Sequence, residues 1–127
     1  MIIAAAILIL ISAVFEAVMD FLQFRLPNLS NHKWSYNNFW DPRYSWRNKW
    51  QYVYDIKVGE KFPLSSTVLV FLTDGWHLMK WCRNRCLDVA MFLVVIGVTD
   101  FWVAFCFTLA IRSAYGTIFE IVFRKLR

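Results

Sequence analysis

The chain has 127 residues, a length that suits one domain. Hydrophobic residues make up 59% of it and charged residues 18%, with 14 Lys and Arg against 9 Asp and Glu for a net charge of +5. Globular chains carry about 45–50% apolar and roughly 25% charged residues, and the surplus here lies in long blocks, which is the pattern of a membrane protein. The basic residues sit between and after those blocks, where topology and anionic lipid headgroups account for them; this argues against nucleic acid as a partner.

The first apolar block covers residues 2–24. It has no Lys or Arg ahead of it, a poor start for a cleaved signal peptide, and reads as a retained membrane span. Residues 25–62 are polar, basic and rich in Trp and Tyr, and rings of that kind favour the headgroup zone. This stretch is too long for an ordinary loop and too aromatic for a disordered linker, so it is expected to form an ordered interfacial cap. Within it, Asp41-Pro42 signals a turn or a helix start. A short second span is expected over 63–81, with Pro63 as its first helical residue, followed by a tight basic connection at Lys80, Arg83 and Arg85. The third span, 87–111, is the clearest, carrying Asp100 near its centre and ending at Arg112. The tail, 113–127, reads as an amphipathic helix with Glu120 and Arg124 as i, i+4 partners. Cys82, Cys86 and Cys106 are odd in number and lack further ligands nearby, so they read as reduced cysteines.

The predicted fold is therefore an all-α integral membrane protein, a single membrane domain over 1–127 with three transmembrane helices, or four if the tail crosses as well. Residues 25–62 hold seven Lys and Arg and the chain end four, against three in the 80–85 connection. The positive-inside rule then sets a multi-pass cell-membrane topology, with the N-terminus outside and the aromatic cap and C-terminus in the cytoplasm.

Charges inside a membrane are costly and face protein or water. On helical wheels Ser12, Glu16 and Asp20 form one stripe. Ser66, Thr67, Thr73, Asp74 and His77 form a second, and Gly97, Asp100, Ala104 and Thr108 a third. Glu16, Asp74 and Asp100 fall at similar depths, flanked by Asp20 and His77. Such a carboxylate/His layer could bind a cation or a polar group, and a divalent metal is the cofactor it would take; Asp74 and His77 have the spacing that helical metal sites use. Close carboxylates could also share protons, and the same residues could serve only as polar glue between helices. In the cap, Arg43, Arg47 and Lys49 interleave with Trp46 and Trp50, a set able to hold an anionic lipid headgroup.

Three classes of function follow. The leading one is a small polytopic membrane protein whose carboxylate/His layer binds a cation or polar group. The second is a metal-assisted membrane enzyme acting on a phosphate-bearing lipid. The third is an oligomeric assembly or pore-forming subunit. Short length, few spans and a basic C-terminus resemble phage holins in composition, but the aromatic cap and membrane-buried carboxylates depart from what a hole-forming protein requires. The lipid bilayer is the expected partner in all three, and the repeated polar stripes favour a homo-oligomer. The segments FWDPRYSWRNKW and TDGWHLMKW are motif-like in composition and suggest no chemistry by themselves.

Overall fold

The computed structural model describes residues 1–126, with the side chains of residues 112, 115 and 118–126 outside that description. The protein is mostly helical with one small sheet. Its chain divides into two compact units, Ile11–Asn84 and Met1–Leu10 with Arg85–Arg127.

Helix α1 (Ile2–Asp20) is built from Ile, Ala, Leu and Val with no Gly or Pro to interrupt it. It continues through a π-helical turn, Phe21–Arg25, and a 3-10 turn, Leu26–Asn28, that contains Pro27. Among the described residues this run, Ile2–Asn28, is the one helix long and apolar enough to cross a membrane. Only 17% of its most apolar stretch is buried, whereas the core helix of a water-soluble domain would be mostly covered.

In the unit Ile11–Asn84 the aromatic segment is ordered, as its composition predicts. Asp41 caps a four-residue helix, α2 (Pro42–Ser45), accepting from the Arg43 N–H, so the Asp-Pro signal marks a real helix start. A 3-10 turn, Trp46–Lys49, leads into an antiparallel hairpin of β1 (Trp50–Val53) and β2 (Ile56–Glu60). The hairpin turn places Tyr54 and Asp55 at φ 48° and 62°, the conformation that matches strand twist in two-residue loops. Trp34 stacks on Trp40 at 4.9 Å, and Phe21 packs against His32 at 5.0 Å and Trp34 at 6.0 Å. The sequence reading did not foresee this sheet, although the run WQYVYDIKV carries the Tyr, Val and Ile typical of strands around an Asp-containing turn.

The predicted second span does not form. Residues 63–74 are turns and a short 3-10 helix, Val70–Leu72, and regular helix begins only at Gly75. Polar side chains take over the backbone here. The Glu60 carboxylate accepts the N–H groups of Leu64 and Ser66 and the Ser66 hydroxyl, and the Ser65 hydroxyl donates to the Lys49 carbonyl at 2.7 Å. Such local bonds offer the chain an alternative to helix, and Leu64 at φ 64° is incompatible with one. Helix α3 (Gly75–Ile96) then runs straight through the predicted basic connection, taking in Lys80, Arg83 and Arg85.

The predicted third span is also divided. Helix α3 ends at Ile96 and α4 (Phe101–Leu126) begins after a turn at residues 97–100. The Thr99 hydroxyl donates to the Val95 carbonyl at 2.9 Å, and the Asp100 carboxylate accepts the Val103 N–H at 3.1 Å, so one residue closes α3 and the other starts α4. The tail is not a separate element, because α4 passes through residues 112–116 without a break. The proposed Glu120–Arg124 pair lies outside the described side chains. One candidate span and a shorter apolar helical stretch, Phe101–Ile111, thus stand where three or four spans were predicted.

Acid should loosen the aromatic segment. The Arg43 guanidinium hydrogen-bonded to Asp41 holds that carboxyl below its usual value, and the Ser66 hydroxyl does the same for Glu60. A depressed folded-state pKa gives stability that is present above the unfolded value, about 4, and lost as pH falls through the folded value. The near-UV dichroism of the Trp cluster should therefore melt at a constant temperature between neutral pH and about pH 5, and at falling temperatures below about pH 4. A melting temperature that stays level into the acid range would contradict this.

Candidate functional site

The two motif-like segments meet. The Gly75 N–H donates to the Phe39 carbonyl at 2.7 Å, and the Asn48 amide donates to the Thr73 carbonyl at 2.9 Å. The Trp40 ring lies directly over Gly75. This junction brings the start of α3 against α2 and the 3-10 turn after it, and encloses a cleft of about 280 Å³. Asp74, Trp76 and His77 form one wall; Pro42, Ser45, Trp46 and Lys49 form another, and Gln23 closes it from the end of the first helical run.

Asp74 is 3% exposed and has two tasks. As the residue before α3, one of its oxygens accepts the His77 backbone N–H at 2.9 Å, a helix-capping bond. The same carboxylate lies 2.8 Å from the His77 ring, with both oxygens facing Nδ1. A carboxylate on Nδ1 fixes the ring's orientation and favours the proton on that nitrogen, leaving Nε2 as the free acceptor or, when protonated, a second donor. Among the described residues no hydrogen bond is made to Nε2 of His77. The ring is packed edge-on to Trp76 at 5.0 Å.

The cleft carries polar groups of several kinds. Lys49 brings an ammonium that only donates, Gln23 and Ser45 an amide and a hydroxyl that donate and accept, and His77 an Nε2 that donates when the ring is protonated, while the Asp74 carboxylate is already turned to His77. Trp46, Trp76 and Pro42 supply apolar wall. This chemistry suits an acceptor-rich, negatively charged group carried on an apolar body.

The other predicted site residues have different surroundings. Glu16, on α1, is exposed and accepts two bonds from Arg83 at 2.7 and 2.8 Å. Asp20 is exposed at the end of α1. Asp100 belongs to the other unit, where it caps α4. Among the described residues no three His, Cys, Asp or Glu side chains form a group that could hold a metal ion. Asp74 and His77 alone are too few donors for a divalent-metal site, so the metal chemistry finds no fitting donor set here. Among the described residues no disulfide involves Cys82, Cys86 or Cys106.

The predicted headgroup set also divides. Arg43 is committed to structure: it forms a forked pair with Asp41, donates to the Pro27 carbonyl at 3.1 Å and lies over Tyr36 and Tyr44. Arg47 pairs with Asp55 at 2.8 Å and covers the Tyr52 ring, and the Trp50 ring is covered by Lys57. Lys49 and Trp46 are the two members that line the cleft. Gln23, Ser45 and Trp76 were not anticipated. Ser45 is one residue of a short helix and carries no motif of its own, so only the junction of the two segments could reveal it. No family model, curated protein or solved structure matches the chain.

Proposed function

We propose that this is a membrane protein, anchored by the helical run Ile2–Asn28, whose Asp74–His77 cleft binds the polar, phosphate-bearing end of a membrane lipid. The observation that carries the reading is the oriented imidazole of His77 sharing one cleft with Lys49 between Trp46 and Trp76. Asp74 is turned to His77 and favours its protonated form, so the cleft can present the Lys49 ammonium and, from a protonated ring, the His77 Nε2–H to an incoming anion. The two indoles offer the amphipathic surface that suits the boundary between headgroup and acyl chain. All 14 Lys and Arg residues follow residue 24, which favours an N-terminus outside and the cleft on the cytoplasmic, anionic face.

Titrating the detergent-purified protein with a short-chain phosphatidic acid tests this, with the matching diacylglycerol as the phosphate-free control. The wild type should bind the first and not the second, read as quenching of Trp fluorescence. Lys49→Ala and His77→Ala should each weaken binding about tenfold, the effect of losing a charge-assisted hydrogen bond of about 1.5–3 kcal/mol or a little less. Equal binding of the two lipids, or unchanged affinity in both folded variants, would sink the reading.

A further inference from the structure

The apolar run 89–111 reads along the chain as a single membrane crossing, which would put its two ends on opposite faces. The fold reverses it. Phe92 of α3 packs on Phe101 of α4 with ring centroids 5.7 Å apart. A groove between the two helices pairs Asp88, Val89 and Phe92 with Phe105, Thr108 and Leu109, so early residues of one limb face late residues of the other. The limbs are antiparallel, and each carries one buried small residue, Ala90 at 2% and Ala104 at 0% exposed.

The surroundings of this hairpin are apolar. Phe101, Trp102 and Val103 are consecutive on α4 and are 52%, 71% and 50% exposed, and Phe105, Phe107, Leu109 and Ile111 follow. Three neighbours in a row cover some 200° of a helix, at about 100° per residue, which is too wide for the single stripe that a second copy of the chain would use. Apolar exposure over so wide an arc is what lipid hydrocarbon accommodates. The limbs measure about 12 and 16 Å at 1.5 Å per residue, against a hydrocarbon thickness of about 30 Å. The turn is prepared for such a place: the Thr99 hydroxyl and the Asp100 carboxylate are both engaged with backbone groups. Charge bounds the other end. Arg85, paired with Asp88 at 2.7 Å, precedes the first limb, and Arg112 follows the second.

We propose that residues 89–111 form a re-entrant helical hairpin, embedded in lipid hydrocarbon, that enters and leaves the bilayer on one face. A hairpin keeps the basic residues on either side of it together, as the positive-inside rule favours, where a single crossing would separate Lys80, Arg83 and Arg85 from those at the chain end. The inference rests on the membrane reading above and is independent of the Asp74–His77 cleft.

Native Cys86 and Cys106 allow a test with little disturbance. The full chain is prepared in sealed, inside-out and right-side-out membrane vesicles with one cysteine at a time: Cys86, Cys106, or Ser113→Cys, the remaining cysteines being serine. Each is exposed to a membrane-impermeant maleimide. The expected result is labelling of Cys86 and of the position 113 thiol from the same face, with Cys106 labelled only after detergent is added. Labelling of 86 and 113 from opposite faces would overturn the hairpin and restore the single crossing. Labelling of Cys106 in intact vesicles would overturn its insertion. Carbonate extraction separates the two levels: protein released by carbonate defeats the membrane reading as a whole, whereas protein retained with 86 and 113 on opposite faces defeats the hairpin alone. Leu87→Cys and Thr117→Cys, both outside the embedded segment, repeat the end positions in case a first variant fails to insert.

Discussion

Asp41→Asn is expected to destabilise the aromatic segment by about 1–3 kcal/mol, the usual consequence of leaving buried hydrogen-bond partners unsatisfied. Asp41 is fully buried, and its carboxylate accepts from the Tyr36 N–H at 2.8 Å, the Arg43 N–H at 3.0 Å, and Nε and Nη2 of the Arg43 guanidinium at 2.9 and 2.6 Å. These bonds tie together three features: the left-handed turn at Tyr36, the start of α2, and the guanidinium that reaches the Pro27 carbonyl. An amide of the same shape leaves one acceptor and places its NH₂ against a cation. The control is Asp55→Asn. That residue also pairs with an arginine, Arg47, but the side chains are 89% and 48% exposed, and such surface pairs contribute about 0–1 kcal/mol. Thermal unfolding in detergent, followed through the Trp signal, should show a large loss for Asp41→Asn and almost none for Asp55→Asn. Similar losses in both would mean that water replaces the Asp41 bonds readily and that the segment is held by its ring contacts instead.

Gly75→Ala is the second large effect, and its sign opposes helix propensity. Alanine in place of glycine inside a helix gains about 1 kcal/mol. At Gly75, however, a Cβ would lie 2.2 Å from Cε3 and 2.7 Å from Cζ3 of Trp40. The indole has little freedom to retreat, because its ring is stacked on Trp34 and packed edge-on against Phe39. Overpacking of this kind costs about 1–3 kcal/mol, and it should also pull α3 from the Phe39 carbonyl, shifting Asp74 and His77 in the cleft. The expected outcome is lower stability together with weakened lipid binding. Trp40→Leu should lose stability by itself yet partly rescue Gly75→Ala, a coupling that a double-mutant cycle reads directly. Strict additivity of the two changes would show that the close approach of Trp40 and Gly75 is not what limits this position.

Several features of this protein belong to its sequence alone. The uninterrupted run of Ile, Ala, Leu and Val over the first residues is enough to make a long apolar helix, since helix periodicity and hydropathy are local properties. The Asp41-Pro42 start of α2 is likewise local, as is the spacing that sets Asp74 and His77 one turn apart. The remaining features depended on side-chain bonds and contacts that hydropathy does not register. Hydropathy counts Ser65 and Ser66 as tolerable in a span, yet their hydroxyls bond to the Lys49 carbonyl and the Glu60 carboxylate, and residues 63–74 take turns in place of a regular α-helix. Gly-Val-Thr-Asp at 97–100 hardly lowers the average of a long apolar window, yet two side-chain bonds suffice to end one helix and begin another there. The carboxylates that wheels and depth set in one layer went to different partners, because Arg83 lies within reach of Glu16 and the Val103 N–H within reach of Asp100. The cleft exists only because Gly75 lets Trp40 approach and so joins two segments more than thirty residues apart in sequence. Local pattern determined where apolar helices can form; side-chain hydrogen bonds, some to neighbours three or four residues away and some to distant segments, decided where they stop, and tertiary contacts decided which side chains meet.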